Sequence, residues 1–346
     1  MEPPKPGHQG PPDRPAPPDL RAAAALTAAA QALIGPTNRT PVDVAQESGV
    51  DLDLARRFWR ALGFPPVADD QPFFAAADVA MLRAAADLVS RADTDAEVVL
   101  QMTRVIGQSL ARIAEAQLTA AAVRPVDGGA TSHFEVGRFP VAAVETLVRG
   151  VEPFLGYVWR RHLLAALARL ATAQDSGIAE GHEMAVGFAD MVGFTAISQQ
   201  LEERQLATLV LRFEELASDR IAQVGGRVVK MIGDEVMFAT DSLSDAAHIA
   251  LDLVEAHLRD SDLPDLRVGL AFGPTLSWEG DLFGPTVNLA SRLVNIARPS
   301  SVLVDPLAAR HLAADAAFRL RPLRRVWLKG IGRVRVTSLR RPQATP

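Results

Sequence analysis

Asp190 and Asp234 each stand where an apolar run meets a glycine turn. In FADMVGFTAI, residues 188–197, a strand-like run ends at Asp190 and Val192-Gly193 turns the chain into a helix-like stretch. Backbone N–H groups converging at such a turn suit a phosphate. In VVKMIGDEVMF, residues 228–238, two apolar strands flank Gly233-Asp234, a hairpin signal that puts Asp234 at the tip. Two carboxylates beside strand ends are a hard oxygen site for Mg²⁺ or Mn²⁺, which would bridge them to a triphosphate. A third stretch, GDLFGPTVNLASRLVN at 280–295, carries Asp281 on a turn and then enters a helix near Pro285. Asn288 and Arg292 lie four apart and share one face, with Leu289, Leu293 and Ile296 expected on the packed side. Taken singly, each stretch also fits an ordinary strand-to-helix turn, a solvated turn aspartate or a plain helix surface. Their occurrence together and in this order, within about 105 residues, favours the chemical reading.

FADMVGFT, VVKMIGDEVMF and DLFGPTVNLASRL jointly resemble the class III nucleotidyl cyclases, over residues 183–341. The resemblance implies two metal ions, Mg²⁺ or Mn²⁺, held by Asp190 and Asp234 with the carbonyl of Met191. It implies β- and γ-phosphates on the amides of Val192, Gly193, Phe194 and Thr195. Lys230 and Asp281 match the pair that reads adenine, where guanylate cyclases of the family typically carry Glu and Cys. An ammonium donating to a ring nitrogen and a carboxylate accepting from the exocyclic amine suit ATP. Asn288 would orient the ribose, Arg292 would neutralise charge at the α-phosphate, and Lys329 in WLKGIG matches a lysine on the terminal phosphates. The same family places its sites at a dimer interface, with metal aspartates from one subunit and base-reading, Asn and Arg residues from the other. One chain carrying both sets implies a homodimer with two equivalent sites. Met191 departs from the commoner Ile or Leu, which a backbone ligand tolerates. The compact SWEG at 277–280 stands where some relatives carry a longer arm, which puts arm exchange in doubt.

The elements that must position these residues change character along the chain. Residues 1–18 hold eight of the 24 prolines and are expected to be disordered. Residues 19–172 are rich in Ala, Leu, Val and Arg at helical spacing and read as an α-helical domain. A linker at 173–182 precedes residues 183–341, where MAVGFAD, GRVVKMIG, EVMFAT, RVGLAFG, SVLVD and RVRVTSL alternate with helices. The resemblance makes that half an α+β, ferredoxin-like (palm-type) catalytic domain.

In the helical half, TPVDVAQESGVDLDLARRFWRALGFP at 40–65 opens with a capping box and breaks at Gly49, a helix–turn–helix pattern. With residues 77–89 it resembles the winged-helix side of MerR-type regulators. The alternative function is therefore a nucleotide-sensing DNA-binding regulator acting through Arg56, Arg57 and Arg60. Phe58 and Trp59 beside them read as core or interface, and a net charge of −5 does not favour nucleic acid by bulk attraction. As a whole, residues 20–172 resemble the regulatory domain of actinobacterial-type cyclases, which restrains catalysis in a pH-dependent way. His162 and His182 lie near the junction, and a histidine there is the expected group to bias such an equilibrium between pH 5 and 8. His248 and His257 fall in a helix reading, and no protein general base is expected among the three histidines His182, His248 and His257.

The 346 residues contain no cysteine, which excludes disulfides, cysteine nucleophiles and thiolate metal sites. No stretch approaches the ~18 uninterrupted apolar residues of a membrane span, and the first residues lack the order of a signal peptide. A cytoplasmic, membrane-free enzyme is the expectation.

Overall fold

The computed structural model describes residues 27–28, 30–91, 95–122, 141–175, 183–258, 260 and 262–342. The proline-rich tail and most of the expected linker, with His182, lie outside them. The chain forms two compact units, Met1–Ala165 and Ala166–Pro346.

The first unit is helical, as its composition predicts. Helices α1 (Pro41–Ser48), α2 (Leu52–Leu62), α3 (Ala76–Arg91) and α4 (Ala96–Ala122) are followed by α5 (Val141–Asp175), which runs on into the second unit. Residues 171–175 are thus helical. Thr40 and Asp43 form the capping box at α1, and Gly49, at φ 76°, ends that helix in the left-handed conformation that glycine adopts without strain. Asp51 caps α2 through the amides of Asp53 and Leu54. Phe58 and Trp59 are buried with Val44, Phe74 and Leu82, and Trp59 stacks on Phe74 with ring centroids 4.3 Å apart. The aromatic pair on α2 therefore serves the core, as expected.

The second unit is built on a seven-stranded mixed sheet in the order β2-β3-β1-β4-β7-β9-β8. Its strands are β1 (Glu183–Met191), β2 (Arg227–Ile232), β3 (Glu235–Thr240), β4 (Leu266–Pro274), β7 (Ser301–Val304), β8 (Arg319–Leu328) and β9 (Gly332–Arg340). A separate hairpin pairs β5 (Leu276–Trp278) with β6 (Asp281–Phe283). The first four sheet strands alternate with α7 (Glu203–Gln223) between β1 and β2 and α8 (Leu243–Val254) between β3 and β4. This is the βαββαβ order of a ferredoxin-like core. A short helix, α6 (Phe194–Ser198), follows β1, while α9 (Pro285–Ile296) and α10 (Pro306–Leu312) complete the unit.

Both faces of the central strands are covered, so β1 reads as a continuous apolar run rather than an alternating one. Ala185, Ala189 and Met191 point to the side of α7, α8 and α10. Met184, Val186 and Phe188 point to the side of α9. Period-two alternation then places Asp190 on the α9 side. Helix α9 sits unusually close there: a Cβ on Gly269 of β4 would lie 2.2 Å from the amide nitrogen of Val294. Glycine at 269 is what lets the helix lie against the strand. Ala290, Leu293 and Val294 form its buried face and Leu289 is partly buried, whereas Ile296, expected to pack, is 41% exposed at the last turn.

Candidate active site

Asp190, next to last in β1, lies between two antiparallel partners, opposite Glu235 on β3 and Arg267 on β4. It is 8% exposed. The β2–β3 hairpin closes through a two-residue turn with Gly233 at φ 64°, which glycine takes at no steric cost. The amide of Met191 donates to the carbonyl of Asp234 at 3.0 Å, tying the hairpin tip to the end of β1. The two aspartates are thereby neighbours, as their positions in sequence implied.

Electrostatics at this corner are strained by like charge. Burial raises the pKa of Asp190; hydrogen bonding and charge from Arg267 pull it down, and the charge of Asp234 raises it. Glu235, half-buried and flanked by both aspartates, is pushed up to about 7, first by desolvation and then by those charges. Two carboxylates gathered at a desolvated strand end are what a hard divalent cation would relieve. Among the described residues no group of three or more His, Asp or Glu forms a closed metal cage. A cation at Asp190 and Asp234 would complete its shell with backbone, water or substrate oxygens.

Of the four amides expected to face phosphate, that of Val192 is already committed, donating to the carbonyl of Asp265 at 2.8 Å. This corrects the expectation for Val192. The reason is that the turn out of β1 is pinned to the loop before β4. Gly193, at φ 77°, precedes α6 as its cap residue and gives no side-chain cap, so the first amides of that turn, at Phe194 and Thr195, have no intrahelical acceptor.

Lys230 Nζ donates to Asp281 Oδ2, joining β2 to β6. A β-bulge between Val228 and Lys230 makes this possible. Lys230 pairs with Met237 and Arg227 with Ala239, both of which face α9, so the bulge turns residues three apart to the same side. Asp281 is also oriented by the amide of Leu282, which donates to Oδ1 at 2.7 Å. The SWEG stretch forms the β5–β6 turn, with Glu279 and Gly280 both at positive φ.

Asn288 and Arg292 lie on the exposed face of α9, and among the described residues neither side chain has a partner. Lys329 is exposed in the β8–β9 turn. Four strand steps separate β1 from β8, about 19 Å across the sheet. One chain thus brings together Asp190 with Asp234, and Lys230 with Asp281, and leaves Asn288, Arg292 and Lys329 unpaired.

Sequence reasoning missed Arg267 and Glu235. Arg267 Nε donates to Asp190 Oδ2 at 2.6 Å, and its Nη1 reaches the carbonyl of Asn295 near the end of α9 at 3.5 Å. Both residues stand in quoted strand segments, and only the register sets them beside Asp190. The arginines proposed for DNA are largely engaged: Arg56 pairs with Asp53 and Asp69, and Arg57 with Glu97. That weakens the DNA-binding alternative.

A ferredoxin-like sheet with paired aspartates at the end of β1 and a lysine–aspartate pair at β2 and β6 defines a nucleotidyl cyclase catalytic domain. Residues 178–340 match the family model described as the adenylate and guanylate cyclase catalytic domain, and residues 17–169 match the adenylate cyclase regulatory domain. An adenylate cyclase of Streptomyces coelicolor is 43% identical over 276 residues, covering 79% of this chain and 71% of that protein. An adenylate cyclase of Glutamicibacter nicotianae is 34% identical over 311 residues, covering 86% and 77%. A pH-sensitive adenylate cyclase of Mycobacterium tuberculosis is 31% identical over 285 residues, covering 79% and 70%. The chain belongs to the adenylate cyclase family, enzymes of the phosphorus–oxygen lyase type, and carries that family's N-terminal regulatory domain. No helix among the described residues is long and apolar enough to cross a membrane.

Proposed function

We propose that the chain is a cytoplasmic, homodimeric enzyme converting ATP to 3′,5′-cyclic AMP and pyrophosphate, and that its helical domain restrains this activity. The observation that carries the substrate assignment is the Lys230–Asp281 contact. A donor and an acceptor held side by side match the ring nitrogen and exocyclic amine of adenine. Asp190, Asp234 and the carbonyl of Met191 would hold two Mg²⁺ or Mn²⁺ ions. When bound, these ions supply charge neutralisation along the triphosphate and acidify the ribose 3′-hydroxyl. The amides of Gly193, Phe194 and Thr195 take phosphate oxygens, with Lys329 on the terminal phosphates. Asn288 holds the ribose so that its 3′-oxygen lies in line with the α-phosphorus. As that oxygen attacks and pyrophosphate leaves, Arg292 stabilises the charge on the α-phosphate.

The homodimer is supported by Asn288 and Arg292, which stand exposed and without a partner among the described residues, and by exposed aromatic side chains. Trp278, Phe283 and Trp327 are 52%, 47% and 73% exposed, and aromatic side chains are enriched where subunits meet. Autoinhibition, with pH dependence, is supported by the match to the regulatory domain and by the M. tuberculosis relative described as pH-sensitive. The test is cyclic AMP production from ATP with Mg²⁺ or Mn²⁺, comparing the full chain with one starting at residue 174, from pH 5.5 to 8. Activity that requires Asp234 and rises on truncation supports the whole reading. ATP binding without turnover in either chain would point to a nucleotide sensor instead.

A further inference from the structure

An open cleft between Arg169 of α5 and Arg227 of β2 offers about 700 Å³, the size of a small-molecule site. It lies at the end of the sheet away from the paired aspartates. Met184, the second residue of β1, forms part of its wall, and the register pairs Met184 with Gly273 but Asp190 with Arg267. From Met184 to Asp190 along β1 is roughly 20 Å at ~3.3 Å per residue.

Arg227 is partly buried, and its Nε is buried with no hydrogen-bond partner. A buried donor left unpaired costs stability, so a native structure that keeps one calls for a reason. Two carboxylates share the wall, Asp241 and Asp281. Asp281 is already held by Lys230. Burial, and next the like charge of Arg169, lower the pKa of Arg227, and attraction from the two aspartates does not offset them. Neither aspartate supplies a hydrogen-bond acceptor to the Arg227 Nε. The rest of the wall is mainly apolar, with Met184, Leu276 and Phe283 prominent.

We propose that this cavity binds an organic anion, whose carboxylate or phosphate sits between Arg227 and Arg169 and whose apolar body lies against Met184, Leu276 and Phe283. The arrangement follows from chemistry: guanidinium groups bind either anionic head, and the apolar wall selects a ligand with a hydrocarbon or ring portion. Asp281 lines the same cavity, so the bound anion links the C-terminal part of α5 to the side chain that reads the base. On the composite-site reading proposed above, this puts the anion beside the base-reading half of the nucleotide site, where it sets activity through Asp281.

The test uses the full chain and calorimetric titration with octanoate, octyl phosphate and inorganic phosphate, each below its micellar concentration. Saturable binding of at least one amphiphile is expected, tighter than that of inorganic phosphate and weakened at least tenfold in both Arg227→Gln and Arg169→Gln. The tighter of the two amphiphiles identifies the head group. Arg169 is exposed on its helix, so Arg169→Gln leaves the fold intact and decides the matter if Arg227→Gln misfolds. The proposal is overturned if neither amphiphile binds saturably, if Arg169→Gln binds as tightly as the unaltered chain, or if ATP displaces the amphiphile competitively.

Discussion

Arg267 lies directly across from Asp190 on the neighbouring strand, and its Nε and Nη2 both approach Oδ2, at 2.6 and 2.5 Å. The same guanidinium reaches the carbonyl of Asn295, so one side chain links a proposed metal ligand to the helix that carries Asn288 and Arg292. Arg267→Ala removes the charge that keeps Asp190 ionised and leaves a desolvated carboxylate beside Asp234. Breaking a buried pair from one side costs about 3–5 kcal/mol, and the partial exposure here brings the expectation to about 1–3 kcal/mol. Urea unfolding without divalent ions should show that loss, and added Mn²⁺ should recover part of it. A variant as stable as the parent would mean that Asp190 does not depend on this arginine.

Exchanging Lys230 and Asp281 for the residues typical of guanylate cyclases should move base preference. In Lys230→Glu/Asp281→Cys the ammonium donor and carboxylate acceptor are lost together. A site built to hydrogen-bond one edge rejects a mismatched edge strongly. Turnover of ATP should fall by about 100-fold or more, and cyclic GMP should be formed from GTP. Undiminished selectivity for ATP would show that the base is read elsewhere.

How much of this was legible before folding depends on the range of each contact. Asp190, Asp234 and Asp281 could be picked out because each sits in or beside a turn specified by a few neighbouring residues, Val192-Gly193, Gly233-Asp234 and Gly280. Arg267 and Glu235 could not, since their proximity to Asp190 arises from the pairing of strands far apart in sequence. β8 was missed for a different reason: RLRPLRRVWL is rich in arginine, contains Pro322 and forms the sheet edge, where most of its residues are exposed. Edge strands need no alternating apolar face and tolerate proline. The commitment of the Val192 amide to Asp265 is likewise a loop-to-loop contact with no local signal.

If the sites are composite, two inactive variants should rescue one another. Asp234→Ala lacks a metal ligand and Arg292→Ala lacks the transition-state cation, and each homodimer should be inactive or nearly so. In mixed dimers one of the two sites recovers both groups. Co-purified heterodimers should regain up to half the parental turnover. Arg292→Ala alone should lower kcat by about 10²–10³ with little change in KM, since its contact develops in the transition state. Absence of rescue in verified heterodimers would argue for sites complete within one chain.

The close seating of α9 can be tested at Gly269. A methyl group there would meet the backbone of Val294 and Ala290, which cannot rotate away as a side chain would. Overpacking of this kind costs about 1–3 kcal/mol and shifts the helix. Gly269→Ala should therefore lower the thermal midpoint and reduce kcat more than KM, because Asn288 and Arg292 move with α9. Gly233→Ala is the contrasting case. Space is open around it, and only its φ of 64° resists a side chain, so loss there should be local to the hairpin tip.

Glu235 predicts a pH dependence whose sign is fixed. Its carboxyl is pushed up to about 7 in the folded chain, first by burial and then by Asp190 and Asp234. The folded state therefore binds this proton more tightly than the unfolded state, and stability falls as pH rises from the ordinary carboxylate range to about 7. Asp190, also raised by burial, acts in the same direction. Without divalent ions, the thermal midpoint should decline between pH 5 and 7.5 by on the order of a few degrees, a modest figure because Glu235 is only partly buried. Glu235→Gln carries no titrating proton and should flatten that decline. Added Mg²⁺ should flatten it too, by stabilising the ionised carboxylates around it. A slope unchanged in Glu235→Gln would assign the dependence to other groups and leave Glu235 without a role in it.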